Sequence, residues 1–67
     1  MTLDQYLEVE GITAAQFASR CDPPLSGASI SRIRRGGQIP SGKAMVNIIA
    51  ASQGKVTADA LLGRLAA

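Results

Sequence analysis

Helix-start signals recur along this chain at short intervals, and each is followed by apolar residues at helical spacing. Thr2 stands three residues before Gln5, and Thr13 three before Gln16. At that spacing a hydroxyl accepts from the backbone N–H three positions on, while the amide side chain reaches back to the cap residue. Ser26, Ser41 and Thr57 are further residues of cap type. The stretches between them end at Gly11, at Asp22-Pro23-Pro24, at Gly36-Gly37 and at Gly54. Glycine permits the left-handed residue that closes a helix, and proline cannot continue one.

Five short helices are therefore predicted. Their apolar sets are Leu3, Tyr6 and Leu7, then Phe17, Ala18 and Cys21, then Ile30 and Ile33, then Met45, Ile48 and Ile49, and finally Ala58, Leu61, Leu62 and Leu65. Helix 2 covers about residues 14–21 and helix 3 about residues 27–35. Every connection is short, so the helices must fold back on one another. The expected fold is all-α, a compact five-helix bundle with residues 1–67 as one domain.

Composition narrows the chemistry. Tyr6 and Phe17 are the only aromatics in a chain that is 46% hydrophobic, which suits the Leu, Ile, Val, Met and Ala core of a small helical domain. The single cysteine, Cys21, excludes an intramolecular disulfide, and with no histidine there is no zinc-finger spacing, so no metal is expected. No stretch approaches the roughly 18 apolar residues of a membrane span, and Asp4, Glu8 and Glu10 are foreign to a signal peptide. The expectation is a cytoplasmic protein without a membrane partner. Ser26, Ser29 and Ser31 have no histidine to activate them, and Asp4, Glu8 and Glu10 lack partners for paired acid–base work. Cys21 reads as core, and no Gly-Lys-Ser/Thr follows Gly36-Gly37 at phosphate-loop spacing. Neither an enzyme, a cofactor nor a small-molecule ligand is expected.

Charge is distributed unevenly. Residues 1–25 carry Asp4, Glu8, Glu10 and Asp22 against Arg20, a net −3, whereas residues 26–55 carry Arg32, Arg34, Arg35, Lys43 and Lys55 with no acid, a net +5. The basic segment contains helix 3, which Ser26 caps and Gly36-Gly37 closes after about ten residues, or roughly 15 Å. At 100° per residue Ile30 and Ile33 share one stripe, and Ala28, Ser31, Arg32 and Arg35 cluster opposite it. A plainly solvated face is one reading of that cluster. The surrounding positive charge favours a phosphate-facing surface instead. A helix fits the major groove of B-DNA, where arginine binds guanine bidentately and small side chains allow close approach.

The run Ile30-Ser31-x-Ile33-x-x-Gly36-x-x-x-Pro40-Ser41 resembles the lambda-repressor-like helix-turn-helix family, which includes phage repressors and Cro proteins. Thr13 followed by Phe17-Ala18 is similar to the family's helix 2, and an apolar helix and a short final helix follow downstream, so the likeness covers nearly the whole chain. The resemblance implies a lambda-repressor-like DNA-binding domain, with helices 2 and 3 as the DNA-binding pair. It further implies a sequence-specific transcriptional regulator, a small phage or prophage Cro-like repressor that occludes an operator in the bacterial cytoplasm, at the nucleoid. An antitoxin or accessory operon autorepressor shares that chemistry. A small helical protein-interaction module, binding through helix 5 or helix 3, is the alternative from another class.

Carried over position by position, Gly27, Ala28, Ser31 and Arg32 match the family's base-reading positions. Arg35 matches a phosphate contact near the end of helix 3, with Ser26 and Ser29 as further backbone candidates at its start and Ser41 and Lys43 at the start of helix 4. A plain cap is the competing reading of Ser41, and a solvated side chain that of Lys43. Ala14 stands where the family often has glutamine, which leaves Gln16 as the substitute backbone contact. Other departures bear on geometry. The connection between helices 2 and 3 is about two residues longer than the usual turn and contains Pro23-Pro24. Arg34 replaces a customary acid on the flank of the wheel, either adding positive charge or contacting protein. Gly27 and Ala28 replace long polar side chains, so specificity is expected from a thymine methyl against Ala28, a guanine against Arg32, and DNA shape. The missing side chain at Gly27 is attributed to close packing against DNA or against the lengthened turn. The expected partner is double-stranded DNA bearing a palindromic operator, bound by a homodimer formed in solution or only on DNA. In helix 5, Leu61 and Leu65 are expected to face inward, and Leu62, at the edge of the stripe, to be the dimer contact.

Overall fold

All five start signals cap helices in the computed structural model, which describes residues 1–62 of the 67. In chain order these are α1 (Leu3–Glu10), α2 (Ala14–Arg20), α3 (Gly27–Arg34), α4 (Gly42–Ala51) and α5 (Ala58–Leu61), with no strand among the described residues. Thr2 Oγ1 accepts from the Gln5 N–H at 3.1 Å while Gln5 Oε1 accepts from the Thr2 N–H at 2.9 Å. Thr13 and Gln16 repeat this box at 3.1 and 2.8 Å. Ser26, Ser41 and Thr57 each accept a single bond from the N–H three residues on. A cap of this kind contributes about 1 kcal/mol, a large share of the stability of helices this short.

Of the three helix ends assigned to glycines, two fall where expected. Gly11 closes α1 in the left-handed region, and Gly36 does so for α3, its N–H bonded to the Ile33 carbonyl and that of Gly37 to the Arg32 carbonyl. For α4 the terminator expected at Gly54 is displaced by one residue. The helix ends at Ala51, and Gln53 takes the first left-handed position at φ 58°, donating to Ala50 O, before Gly54 donates to Ile49 O. The 6→1 and 5→2 bonds of this cap place a residue with a Cβ where glycine is favoured.

Phe17, Ile30, Ile48 and Val56 are fully buried, and Leu3, Tyr6, Leu7, Ala18, Cys21, Ile33 and Leu61 surround them. Tyr6 meets Phe17 edge to face, with ring centroids 5.7 Å apart. Leu61 faces inward as expected, whereas Leu65, assigned to the same stripe, lies outside the described residues. Ser52 is also fully buried: its hydroxyl donates to Ile49 O at 3.0 Å and accepts from the Val56 N–H at 3.1 Å, seating the α4–α5 connection on the core.

α2 and α3 form the most extensive helix–helix contact. Their long connection is folded back on α2 by bonds from the Cys21 and Leu25 N–H groups to Ala18 O, and Leu25 packs on the core. The Asp22–Pro23 peptide is cis. Across this segment Asn47 of α4 accepts from the Asp22 N–H at 2.9 Å and donates to Pro23 O at 2.8 Å. One amide side chain thus satisfies a donor and an acceptor that no helix provides for.

Asn47→Ala is expected to destabilise the fold by about 1–2 kcal/mol through loss of both bonds, read as a lower denaturant midpoint at unchanged slope. Gln53→Gly is expected to act in the opposite direction by up to about 1 kcal/mol, because it removes the steric penalty of the left-handed cap. Thermal or denaturant unfolding of the two variants beside the parent checks both signs.

Candidate functional site

Burial of Ile30 and Ile33 fixes the rotation of α3 about its own axis. Ala28, Arg32 and Arg35 are consequently exposed and Ser31 half-buried on the other side, so the face anticipated from the helical wheel is presented outward. Arg35 folds back along the helix, Nε to Ser31 O and Nη2 to Ser31 Oγ, both at 3.3 Å. Arg32 Nη1 reaches Oε1 of Gln38, in the loop beyond α3, at 3.4 Å. These bonds are long and solvated, weak enough to be exchanged for a bound acceptor. A guanidinium has five donors, so both side chains keep most of theirs available even as they stand.

Arg34 lies off this face, on the flank of the helix. Its Nε and Nη2 lie 2.8 and 2.7 Å from Asp4 Oδ1 in α1, so of its two anticipated roles the contact with protein is the one observed. With the two side chains 25% and 49% exposed, solvent screening holds the pair to below about 1 kcal/mol. Its main consequence is positional: α3 is tied to α1 through the flank of the helix, while Arg32 and Arg35 point outward.

Gly27 has a different reason for lacking a side chain from the one anticipated. A Cβ built there would stand 3.2 Å from Ala15 Cα and 3.3 Å from Ala15 Cβ. The close approach is to α2, not to the lengthened turn, and it is present without DNA. Gly27 therefore offers a ligand only its backbone.

The other candidates carry structural duties. Gln16, Ser26 and Ser41 use a side-chain oxygen as acceptor in the N-caps of α2, α3 and α4. Capping leaves the serine hydroxyl protons and the Gln16 NH₂ group as outward donors, so it is compatible with contact to a phosphate oxygen. Ser29 is half-buried, and its N–H is taken by Ser26. Lys43 is exposed at the start of α4, where it shares an open groove of about 400 Å³ with Arg20, Asp22, Val46 and Asn47. Leu62 is half-buried at the C-cap of α5.

Sequence reasoning missed Gln38, Asn47 and Ser52. A polar residue inside the apolar run Met45–Ile49 was a usable signal for Asn47. Nothing local marked Gln38 as a partner for Arg32. Cys21 is buried, and desolvation pushes its thiol above the ordinary value, which keeps it protonated and a poor nucleophile. Among the described residues no group of three His, Cys, Asp or Glu side chains is arranged to hold a metal, and no helix is long and apolar enough to cross a membrane.

Comparison of the chain with protein-family models, with curated proteins and with solved structures finds no match.

Gly27→Ala tests the helix contact. The gain in helix propensity is small at the first helical position, while the new methyl group must displace the backbone of α2 by a few tenths of an ångström. The expected outcome is a loss of about 1 kcal/mol in a denaturant titration, with amide shifts centred on Ala15. A stabilised variant would show that α2 yields freely.

Proposed function

We propose that this chain is a sequence-specific, double-stranded-DNA-binding regulator of the lambda-repressor-like helix-turn-helix type, acting as a small Cro-like repressor by operator occlusion. The observation that carries the reading is the outward face of α3. Arg32 and Arg35 stand exposed beside the small side chain of Ala28, while the opposite face is locked into the core and Arg34 is drawn away to Asp4. On that face one guanidinium reads a base edge and a second rests on phosphate.

In this reading Arg32 takes a guanine, Ala28 packs on a thymine methyl, and Ser31 and the backbone of Gly27 border the base pairs. Arg35, Lys43 and the free donors of Gln16, Ser26 and Ser41 meet the phosphates, with Ser29 beside them. The described body has a longest dimension of 31 Å, so one copy reaches a single half-site. A homodimer on a palindrome, with half-sites roughly 34 Å apart, engages two successive major grooves, and Leu62 at the end of α5 is the proposed contact between the copies. The cytoplasm of a bacterial or phage-infected cell is the setting this activity requires.

Selection of bound sites from random duplex DNA tests the proposal directly, since it reports binding, the half-site and any palindrome together. A surface that merely carries solvated charge enriches no sequence. Arg32→Ala is expected to cost about 1–3 kcal/mol on the selected site and to relax preference at one base pair. Arg35→Ala is expected to weaken all sequences alike and to reduce the salt slope by about one. Equal, sequence-independent losses from both variants would remove Arg32 as a reader.

A further inference from the structure

A second charged surface is built from residues outside α3. The groove between α4 and the α2–α3 connection carries Arg20 and Lys43 against one acid, Asp22, and its apolar lining includes Val46, which is 69% exposed, and Ala50. Neither Arg20 nor Lys43 forms an ion pair with another described residue. The amide of Asn47 is already committed to the Asp22 N–H and the Pro23 carbonyl, so the groove has a fixed wall.

The same molecule displays the complementary charge elsewhere. Glu8, Val9 and Glu10 end α1, all three are exposed, and Val9 is 70% exposed. Both carboxylates sit at the helix C-terminus, where the backbone dipole is itself negative, and the last turn contains no basic residue. That placement is electrostatically unfavourable by a few tenths of a kcal/mol per charge and is relieved by an external cation. Neither glutamate has an ion-pair partner among the described residues.

We infer that the α4 groove of one copy receives the Glu8-Val9-Glu10 end of α1 from a second copy, with Val9 against Val46 and Ala50 and the two carboxylates against Arg20 and Lys43. Because the two patches differ, the contact is heterologous: each copy offers one groove and one α1 end, so copies join head to tail. The contact uses no side chain of α3 or α5, and of the residues placed on phosphate it takes Lys43 alone, which a copy so engaged withdraws from DNA. A tripeptide in a groove of this size buries far less than the roughly 1,200 Å² of a stable interface, so the contact is weak in free solution and gains strength only when copies are held side by side.

The test requires no DNA. A dilution series of the full chain at low salt, followed by amide chemical shifts, is expected to show concentration-dependent changes in two separate patches, Glu8–Gly11 and Arg20 with Val46–Ala50. Val46→Glu blocks the groove and Glu8→Lys reverses the α1 end; both positions are exposed, and parental melting curves verify that the variants fold. Each variant alone is expected to lose self-association at these patches by roughly tenfold or more. Mixed together, they are expected to recover it, because the intact groove of one meets the intact α1 of the other, and growth then stops at a pair. Shifts confined to α5, no concentration dependence at any level, or failure of the mixed variants to recover would each overturn the inference.

Discussion

The approach of α3 to α2 at Gly27 and Ala15 is the constraint on which the rest of the arrangement depends. Two small residues let the backbones come near enough for Phe17 and Ile30 to be fully buried together. Tyr6 packs against the edge of this pair from α1, and Ile48 and Val56 complete the centre from α4 and its connection to α5. A wider separation would open a void that a chain of 67 residues, with so few large side chains, has nothing to fill.

Once that packing is set, polar contacts determine what the surface presents. Asn47 braces the connection between α2 and α3, so the start of α3 is positioned by α4 as well as by α2. At the other end of the helix, Arg34, on the flank of the wheel, bonds to Asp4 of α1. The uneven charge distribution thus partly neutralises itself inside the fold. Among the described residues that leaves Arg32 and Arg35 on α3, Arg20 and Lys43 along a groove beside α4, and Lys55 between α4 and α5. We propose different partners for the first two: a phosphate backbone and base edges for α3, and a short acidic segment with one apolar side chain for the groove.

Helix boundaries were legible because caps act over three or four residues. Thr2 with Gln5, Thr13 with Gln16 and Gly36 with Gly37 specify their ends without reference to anything distant. The exposed face of α3 was legible for a related reason: once Ile30 and Ile33 are assigned inward, helical geometry places Ala28 and Arg32 outward. The end of α4 was read less well, because the left-handed turn begins at Gln53, where the residue type argues against that conformation. The role of Gly27 was read as an approach to DNA or to a turn, since spacing says that a helix lacks a side chain without saying what lies opposite.

The sequence by itself determined five caps, the apolar stripes they introduce, and the separation of acidic from basic segments, all of which depend on neighbours within about one turn. Only the tertiary structure decided that Arg34 meets Asp4, that Asn47 holds Asp22 and Pro23, that Gln38 reaches Arg32, and that Gly27 admits Ala15. Three of these four pairings join different helices or a helix to a distant loop. Their existence depends on the angles and distances at which the helices pack, and those are fixed by the fit of the whole core rather than by any local run of residues.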